Sequence, residues 1–544
     1  MALLRKSVRV WMRSVRHFGA ERHSPSQNTM RLIRGGGRAI PTMLLQESNL
    51  SLVKYLNNNE PISEQNWIDI RTELMSSTEF EIKEATVDMT IVNLCLDSNK
   101  INSAMTYLQY LWDNGYDMNI SSMMTYLKLC FVRKDQALLE SEKDYIIKMY
   151  DTIKEKYPVL DASAAECCVM GLSKTERWKE SFELLEMIKI LDKPRSAAYT
   201  AIICAAFNHD EPEIGWKYFH EVLTRINPDH SAYITYLDYC KRNFEGAELE
   251  KEIGKMIEFW GERDVRPYVN VIAAYEEALG SLGWTTLHTS IQVRGSCRSC
   301  SRKLVSLEVT DEQFAKLAHT VRDRVIVGKD IYRRSSPEEL KSFLQFIERT
   351  QPYDIVIDGL NVAYATKTLA KPNGSQLLEV FKMCQSKGKK VLVLGRKHML
   401  RWPQMDINFM RRNGHVFLAN DISEDDPYML YATVRSGPHT QFVSKDLMRQ
   451  HKFLLEDKEL VRIFKYWQMA HQLIPVGIRI GGGVKLQLKN PPIYLPVAQK
   501  NDDGYHVPYT EDVSLQPPLI YEPPRSWVCF RKTASSAKGN SKRP

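Results

Sequence analysis

In the C-terminal half of the chain, four stretches share one rhythm. DIVIDG from 354, KKVLVLG (389 to 395), GHVFLAN (414 to 420) and TQFVSKD (440 to 446) each read as a buried strand, and each is separated from the next by enough residues for a helix. Alternating strand and helix predicts an α/β domain with a parallel, three-layer sheet. Two further helices, over 310–327 and 336–350, lead into its first strand. The N-terminal half has a different period. Thr86, Ser122, Ser163, Ser196 and Ser231 each open an apolar helix, at spacings of 36, 41, 33 and 35 residues, and the long spacing holds a charged insertion near 135–143. Units also match in pairs, SAAECCVMGL with SAAYTAIICAA and WKESFELLEMI with GWKYFHEVL. A period near 35 with two helices per unit predicts an α-solenoid, either as a binding surface or as a scaffold. Between the halves, TTLHTSIQVRGSCRSCSRKLVSLEVT alternates like short strands. GYHVPYT and RSWVCFRK do the same near the C-terminus.

Charge changes this picture in one place. The 544 residues carry a formal +8, but residues 1 to 40 hold nine Lys/Arg and one acid, which is already +8; the remainder is 65 basic (74 − 9) against 65 acidic (66 − 1). Bulk charge therefore gives no case for nucleic-acid binding, which has to rest on local patches. Arg5, Arg9, Arg13 and Arg16 form a basic helical stripe beside Leu4, Val8, Met12 and Val15, the pattern of a mitochondrial presequence, with a nucleic-acid-binding arm as the rival. No apolar run reaches the roughly 18 residues that span a bilayer, so no membrane contact is expected. Ten cysteines without a framework point to a reducing compartment.

Candidate chemistry gathers at the sheet. In a parallel sheet the C-terminal strand ends share one edge, where ligands bind. Asp358 ends the first strand, Asp446 ends the fourth, and Glu424-Asp425-Asp426-Pro427 opens the helix after the third. Helix capping accounts for one carboxylate per helix, not for Asp425 beside Asp426 or for a common edge. Carboxylates that converge raise one another's pKa until a cation neutralises them, and hard oxygen donors suit Mg²⁺. A phosphate-binding face is expected from Lys387, Lys389, Lys390, Arg396, Lys397, Arg401, Arg411 and Arg412, opposed only by Asp406. Arg449, His451 and His471 are weaker candidates. Cys297 and Cys300 form a lone CxxC that reads equally as zinc, redox or incidental; His506 and Cys529 could complete a closed zinc site that staples distant segments.

The order of repeats, CxxC, IDGLNVA, SEDDPYMLYAT, SKDLMRQH, then His and Cys resembles protein-only ribonuclease P, and the presequence makes it similar to the animal mitochondrial branch. That resemblance covers roughly residues 80 to 530. It implies degenerate pentatricopeptide repeats that bind RNA, an NYN/PIN-like metallonuclease domain, and removal of the 5′ leader from mitochondrial precursor tRNA in the matrix, leaving a 5′ phosphate. It places Asp358, Asp425, Asp426 and Asp446 on the catalytic aspartates, holding two Mg²⁺ (or Mn²⁺), with Asp425 or Asp426 acting through a metal-bound water. Cys297, Cys300, His506 and Cys529 fall on the ligands of one structural Zn²⁺. RNA contact is expected at Lys389, Lys390, Arg396, Lys397, Arg411, Arg412, Arg449 and His451. Implied partners are precursor tRNA, a tRNA methyltransferase and a short-chain dehydrogenase. The expected domains are a presequence (1–40), an extension (41–80), the solenoid (81–284), a zinc-binding central domain (285–335 with 495–532), the metallonuclease (336–494) and a disordered tail (533–544). The rival functions are an RNA-decay endonuclease of the same fold and a non-catalytic RNA-binding assembly factor.

Overall fold

The computed structural model describes residues 50–58, 61–77, 82–133, 137–321, 337–365, 374–420, 426–446, 457–480, 483–511 and 524–532. The expected presequence and tail, and the residues Asp425, Arg449 and His451, lie outside the described residues. The chain divides into two units, one containing residues up to 254 with 268–278, the other 255–267 with most of 279–532.

The first unit is helical. After α1 (Ser51–Asn58) and α2 (Glu64–Ser76), helices alternate as α3 (Glu84–Asp97), α4 (Ile101–Asp113), α5 (Ile120–Val132), α6 (Glu140–Lys156), α7 (Ala162–Leu172), α8 (Ser181–Leu191), α9 (Ser196–Asn208), α10 (Pro212–Val222) and α11 (His230–Asn243). Helix α5 packs on α7, α7 on α9 and α9 on α11, and α5, α7 and α9 each also touch their own successor where the next helix folds back. Small residues make that possible. Every residue of α9 from Ala197 to Phe207 is buried, five of them alanine. In α7, a Cβ on Gly171 would sit 2.7 Å from Leu127 of α5. Four of these helices begin before the Ser or Thr that the rhythm names, and three of the four carry a side-chain cap. Asn119, Asp161 and Asp229 are the caps, accepting the N–H of Ser122, Ala164 and Ser231 at 2.9, 2.7 and 3.0 Å. Their oxygens reach first-turn donors that Ser122, Ser163 and Ser231, already inside the helix, leave open. The long spacing is taken up largely by α6, which runs to 17 residues. Helix α12 (Gly246–Arg263) and α13 (Val269–Ser281) follow.

In the second unit, β1 (Trp284–Thr289), α14 (Asp311–Thr320) and α15 (Pro337–Thr350) precede β2 (Ile355–Asp358), α16 (Gly359–Ala363), α17 (Gly374–Gln385), β3 (Val391–Arg396), α18 (Gln404–Asn413) and β4 (His415–Ala419). Next come α19 (Asp426–Ser436), β5 (Gln441–Val443), α20 (Lys458–His471), β6 (Gln472–Ile480) and β7 (Gly483–Lys489). These strands form one sheet, in the order β4-β3-β2-β5-β6-β7. Residue parity sorts the core into two faces. Val356, Leu392, Leu394 and Phe442 meet Leu317, Phe343, Leu430 and Trp467 on one side, while Ile355, Ile357, Val393 and Val443 meet Leu377, Phe381, Ile407 and Met410 on the other. The three-layer expectation holds, but the all-parallel one is corrected: β6 and β7 are antiparallel. Two residues separate them, and so short a connection can only reverse the chain.

A second sheet, β1-β10-β9-β8, is antiparallel, built from β1 and from β8 (Gln499–Asn501), β9 (Gly504–Tyr509) and β10 (Ser526–Lys532). Its β1 pairs with β10 from Trp284↔Lys532 to Thr289↔Trp527, so segments flanking the α/β insert share one sheet. No described helix is long and apolar enough to cross a membrane.

Candidate active site and metal centre

Strand β2 is buried throughout, and its last residue is a carboxylate only 7% exposed. Asp358 is held from two sides. Its Oδ1 accepts the Asn361 N–H at 2.9 Å, capping α16, and its Oδ2 accepts the Ser444 hydroxyl at 3.1 Å. The second contact follows from register, since Ile357 pairs with Val443 and Ser444 therefore stands beside Asp358. Glycine at 359 follows from space: a Cβ there would lie 2.7 Å from the Leu394 carbonyl oxygen of β3.

Ser444 joins two of the expected carboxylate residues. While its hydroxyl donates to Asp358, the same oxygen accepts the Asp446 N–H at 3.0 Å. The Gln472 amide donates to the carbonyls of Ser444 and Asp446 at 2.8 and 2.9 Å, fixing the turn from β6. From the other side, Asn361 Oδ1 accepts the Lys445 N–H at 2.7 Å, and the Lys445 ammonium donates to the Ala365 carbonyl at 2.6 Å. The ends of β2 and β5 are thus laced together by uncharged side chains and one lysine. Asp426 begins α19, which follows β4 and so starts on the same edge by connectivity. The sequence reading missed Ser444, Asn361 and Gln472. Ser444 and Asn361 stand within three residues of an expected aspartate, but only strand register shows that they meet.

The expected cationic face is not one face. Lys387, Lys389 and Lys390 precede β3, and Arg411 and Arg412 end α18 just before β4, so these five lie at the N-terminal edge of the sheet. Arg396 ends β3, and Lys397 and Arg401 follow it, on the carboxylate edge. Sequence adjacency could not separate the two groups, because a strand carries neighbours in sequence to opposite edges. Lys389 pairs with Asp354 at 3.2 Å; the Lys390 N–H, and then the Lys389 ammonium, hold that carboxyl below its usual range. His471 faces the carbonyls of Trp467 and Pro438 with its two ring nitrogens, both at 2.7 Å, which makes it part of the scaffold.

The soft-ligand residues converge. Donor atoms of Cys297, Cys300, His506 and Cys529 all lie within 4.8 Å of one another. Cys529 and His506 are direct partners across β10 and β9, while a tight turn supplies the CxxC, with the Ser301 N–H donating to the Cys297 carbonyl at 2.9 Å. Cys300 Sγ is 3.2 Å from His506 Nε2, and Asn501 lies 3.0 Å from His506 Nδ1. Burial pushes the His506 imidazole down to about 4, with Arg531 adding to the shift, so the ring is neutral and its lone pair is available. Burial raises the Cys529 thiol, and its two cysteine neighbours raise it further. At Cys297 burial also acts upward, but N–H groups of Cys300 and Ser299 and the Thr289 hydroxyl outweigh it, and the net shift is down. Three thiols and an imidazole at this separation are the donor set of a closed tetrahedral site.

Residues 291–529 match the family model described as Protein-only RNase P. Over 485 residues the chain is 30% identical to the mitochondrial ribonuclease P catalytic subunit of Rattus norvegicus, covering 87% of this chain and 79% of that protein. It is 26% identical over 266 residues to proteinaceous RNase P 1, chloroplastic/mitochondrial, of Arabidopsis thaliana, covering 47% and 43%. Among solved structures, nuclear proteinaceous RNase P 2 from A. thaliana aligns with 83% of this chain and 100% of its own, at 18% identity and a TM-score of 0.43.

Proposed function

This chain belongs to the protein-only RNase P family and is a mitochondrial endoribonuclease of tRNA 5′ processing; on that premise we propose that it cuts at the carboxylate edge of its six-stranded sheet. The observation that carries this is the single Ser444 hydroxyl that bridges Asp358 to Asp446 at the ends of adjacent strands. Asp358, Asp425, Asp426 and Asp446 would hold one or two Mg²⁺ (or Mn²⁺), since hard carboxylate oxygens are the donors these ions take. When bound, the ions supply Lewis-acid charge to the phosphate and lower the pKa of a water.

The chain's own residues then have separate tasks. Asn361 and Ser444 aim the Asp358 oxygens, and Gln472 with Lys445 fixes the turn that presents Asp446. Arg396, Lys397 and Arg401 place positive charge on the edge where the RNA backbone must approach. Water attacks the phosphorus in line with the departing 3′ oxygen, so the products are a leader with a 3′ hydroxyl and a tRNA with a 5′ phosphate. Cys297, Cys300, His506 and Cys529 would hold one Zn²⁺ that contributes folding energy. The stacked helix pairs act as degenerate pentatricopeptide repeats that grip the folded tRNA by shape. The presequence delivers the protein to the matrix, where a tRNA methyltransferase and a short-chain dehydrogenase join it.

Cleavage of a 5′-labelled mitochondrial precursor tRNA tests the reading, with the chain alone and with mitochondrial extract lacking it. We expect one cut at the mature 5′ end, lost by about 100-fold or more in Asp446→Asn while RNA binding stays. Normal cutting by that variant would remove Asp446 from the metal site.

A further inference from the structure

One exposed aromatic stands on the carboxylate edge with no task in the reading above. Tyr364 is the C-cap of α16, six residues after Asp358, and is 56% exposed. No ring, ion-pair or side-chain hydrogen-bond contact holds it among the described residues. Its backbone, by contrast, is fixed. The Tyr364 N–H donates to the Leu360 carbonyl at 3.0 Å, the Ala365 N–H to Val362 at 3.0 Å, and the Lys445 ammonium to the Ala365 carbonyl at 2.6 Å. The strand end that carries Asp446 thus also anchors the residue next to the ring. Helix rise sets Tyr364 about 9 Å from Asp358 along the axis, within one to three nucleotides at ~3.4 Å or more each.

Cations flank the same helix. In the turn Lys397–Arg401, Met399 is fully buried and lies 3.2 Å from the position of a Gly359 Cβ, which seats the turn against the start of α16. Lys397, Leu400 and Arg401 of that turn are exposed. An accessible ring at one end of a short helix, with a cation-bearing turn seated against the other end, has the two parts that bind single-stranded RNA without reading its sequence: bases stack on the ring and phosphates meet the charges.

We propose that Tyr364 stacks on a leader base next to the scissile phosphate, while Lys397 and Arg401 take the adjoining leader phosphates. This rests on Asp358 and Asp446 marking the cutting site. The test measures kcat and KM on precursors whose first two leader positions carry natural bases or abasic residues. It uses the full chain with extract lacking it, comparing wild type, Tyr364→Ala, Tyr364→Phe and Tyr364→Trp. We expect Tyr364→Ala to lower kcat/KM about 10-fold, mainly through KM, and Phe or Trp to keep most of it. Abasic leaders should slow the wild type by a similar factor and add little to Tyr364→Ala. Wild-type rates for Tyr364→Ala overturn the proposal. So does a loss that is equal on natural and abasic leaders, which would assign the ring to a protein partner. Asp358→Asn in the same assay is the separate control: if it still cuts, the carboxylate reading fails on its own, whatever the stacking cycle gives.

Discussion

Removing one oxygen, in Ser444→Ala, should disable the site without touching a proposed ligand. Ser444 is fully buried, so no bulk water replaces the lost hydroxyl. Two bonds go with it: one to the Asp358 carboxylate at 3.1 Å and one from the Asp446 N–H at 3.0 Å. A bond to a charged group contributes about 1.5–3 kcal/mol and a neutral one about 0.5–1.5, so the lattice loses about 2–4.5 kcal/mol. Part of that appears as stability and part as freedom of the two carboxylates. A misplacement of about 1 Å is enough for a 100-fold loss of rate. Precursor cleavage at saturating RNA should therefore fall about 10- to 100-fold, and half-maximal activity should need more Mg²⁺, because loosened ligands bind the ion less tightly. Thermal unfolding on the same preparation separates the two parts. A lower Tm with unchanged cleavage and unchanged Mg²⁺ dependence would show that Ser444 serves the sheet alone, and refute the reasoning.

Cys529→Ser should reduce bound zinc from one per chain towards none and lower Tm, as atomic absorption and calorimetry would show; full zinc content would refute the four-ligand cluster. Charge reversal should separate the two edges of the sheet: Lys397→Glu with Arg401→Glu raises KM about 10-fold, whereas Lys389→Glu, on the far edge beside Asp354, changes it less than about two-fold. Equal effects would restore a single cationic face. Glu166 is buried in α7, and burial raises its carboxyl above the usual range despite the Arg195 N–H and charge. Its ionised form is therefore disfavoured in the fold: the penalty is absent below the unfolded value near 4.5 and grows as pH rises through the folded one. Glu166→Gln should raise Tm at pH 7 and lose that advantage near pH 4; a pH-independent difference would contradict the assignment.

The strands of the α/β domain were legible because each is a short apolar run between turn residues, and β2 to β5 fall where the pattern puts them. Direction was less legible. The antiparallel pairing of β6 with β7 does not follow the strand–helix alternation from which the parallel sheet was expected. Of the site, Asp358 and Asp446 could be found from their place after a strand, since parallel topology sends all such ends to one edge. Ser444 could not, because its partnership with Asp358 exists only once Ile357 and Val443 are in register. The split of the cationic cluster has the same origin: Lys390 and Arg396 are six residues apart in sequence and at opposite ends of β3. The four soft-donor residues were expected together, but spacing alone carried only half of that expectation. Cys297 and Cys300 announce themselves by spacing, while His506 and Cys529 become neighbours only through β9–β10 pairing.

That pairing also fixes when the molecule can be finished. Cys300 and His506 are 206 residues apart, and β1 finds β10 only after the whole insert has been made. At ~5–20 residues per second, synthesis leaves the CxxC turn waiting about 10–40 s for its partners. Through that interval its thiols stand open to stray metal or oxidant. Closing so long a loop is entropically slow unless the α/β insert folds first and brings its two ends together. A chain that stops before β10 therefore leaves β1 without its partner strand, and Cys297 and Cys300 without Cys529 beside them.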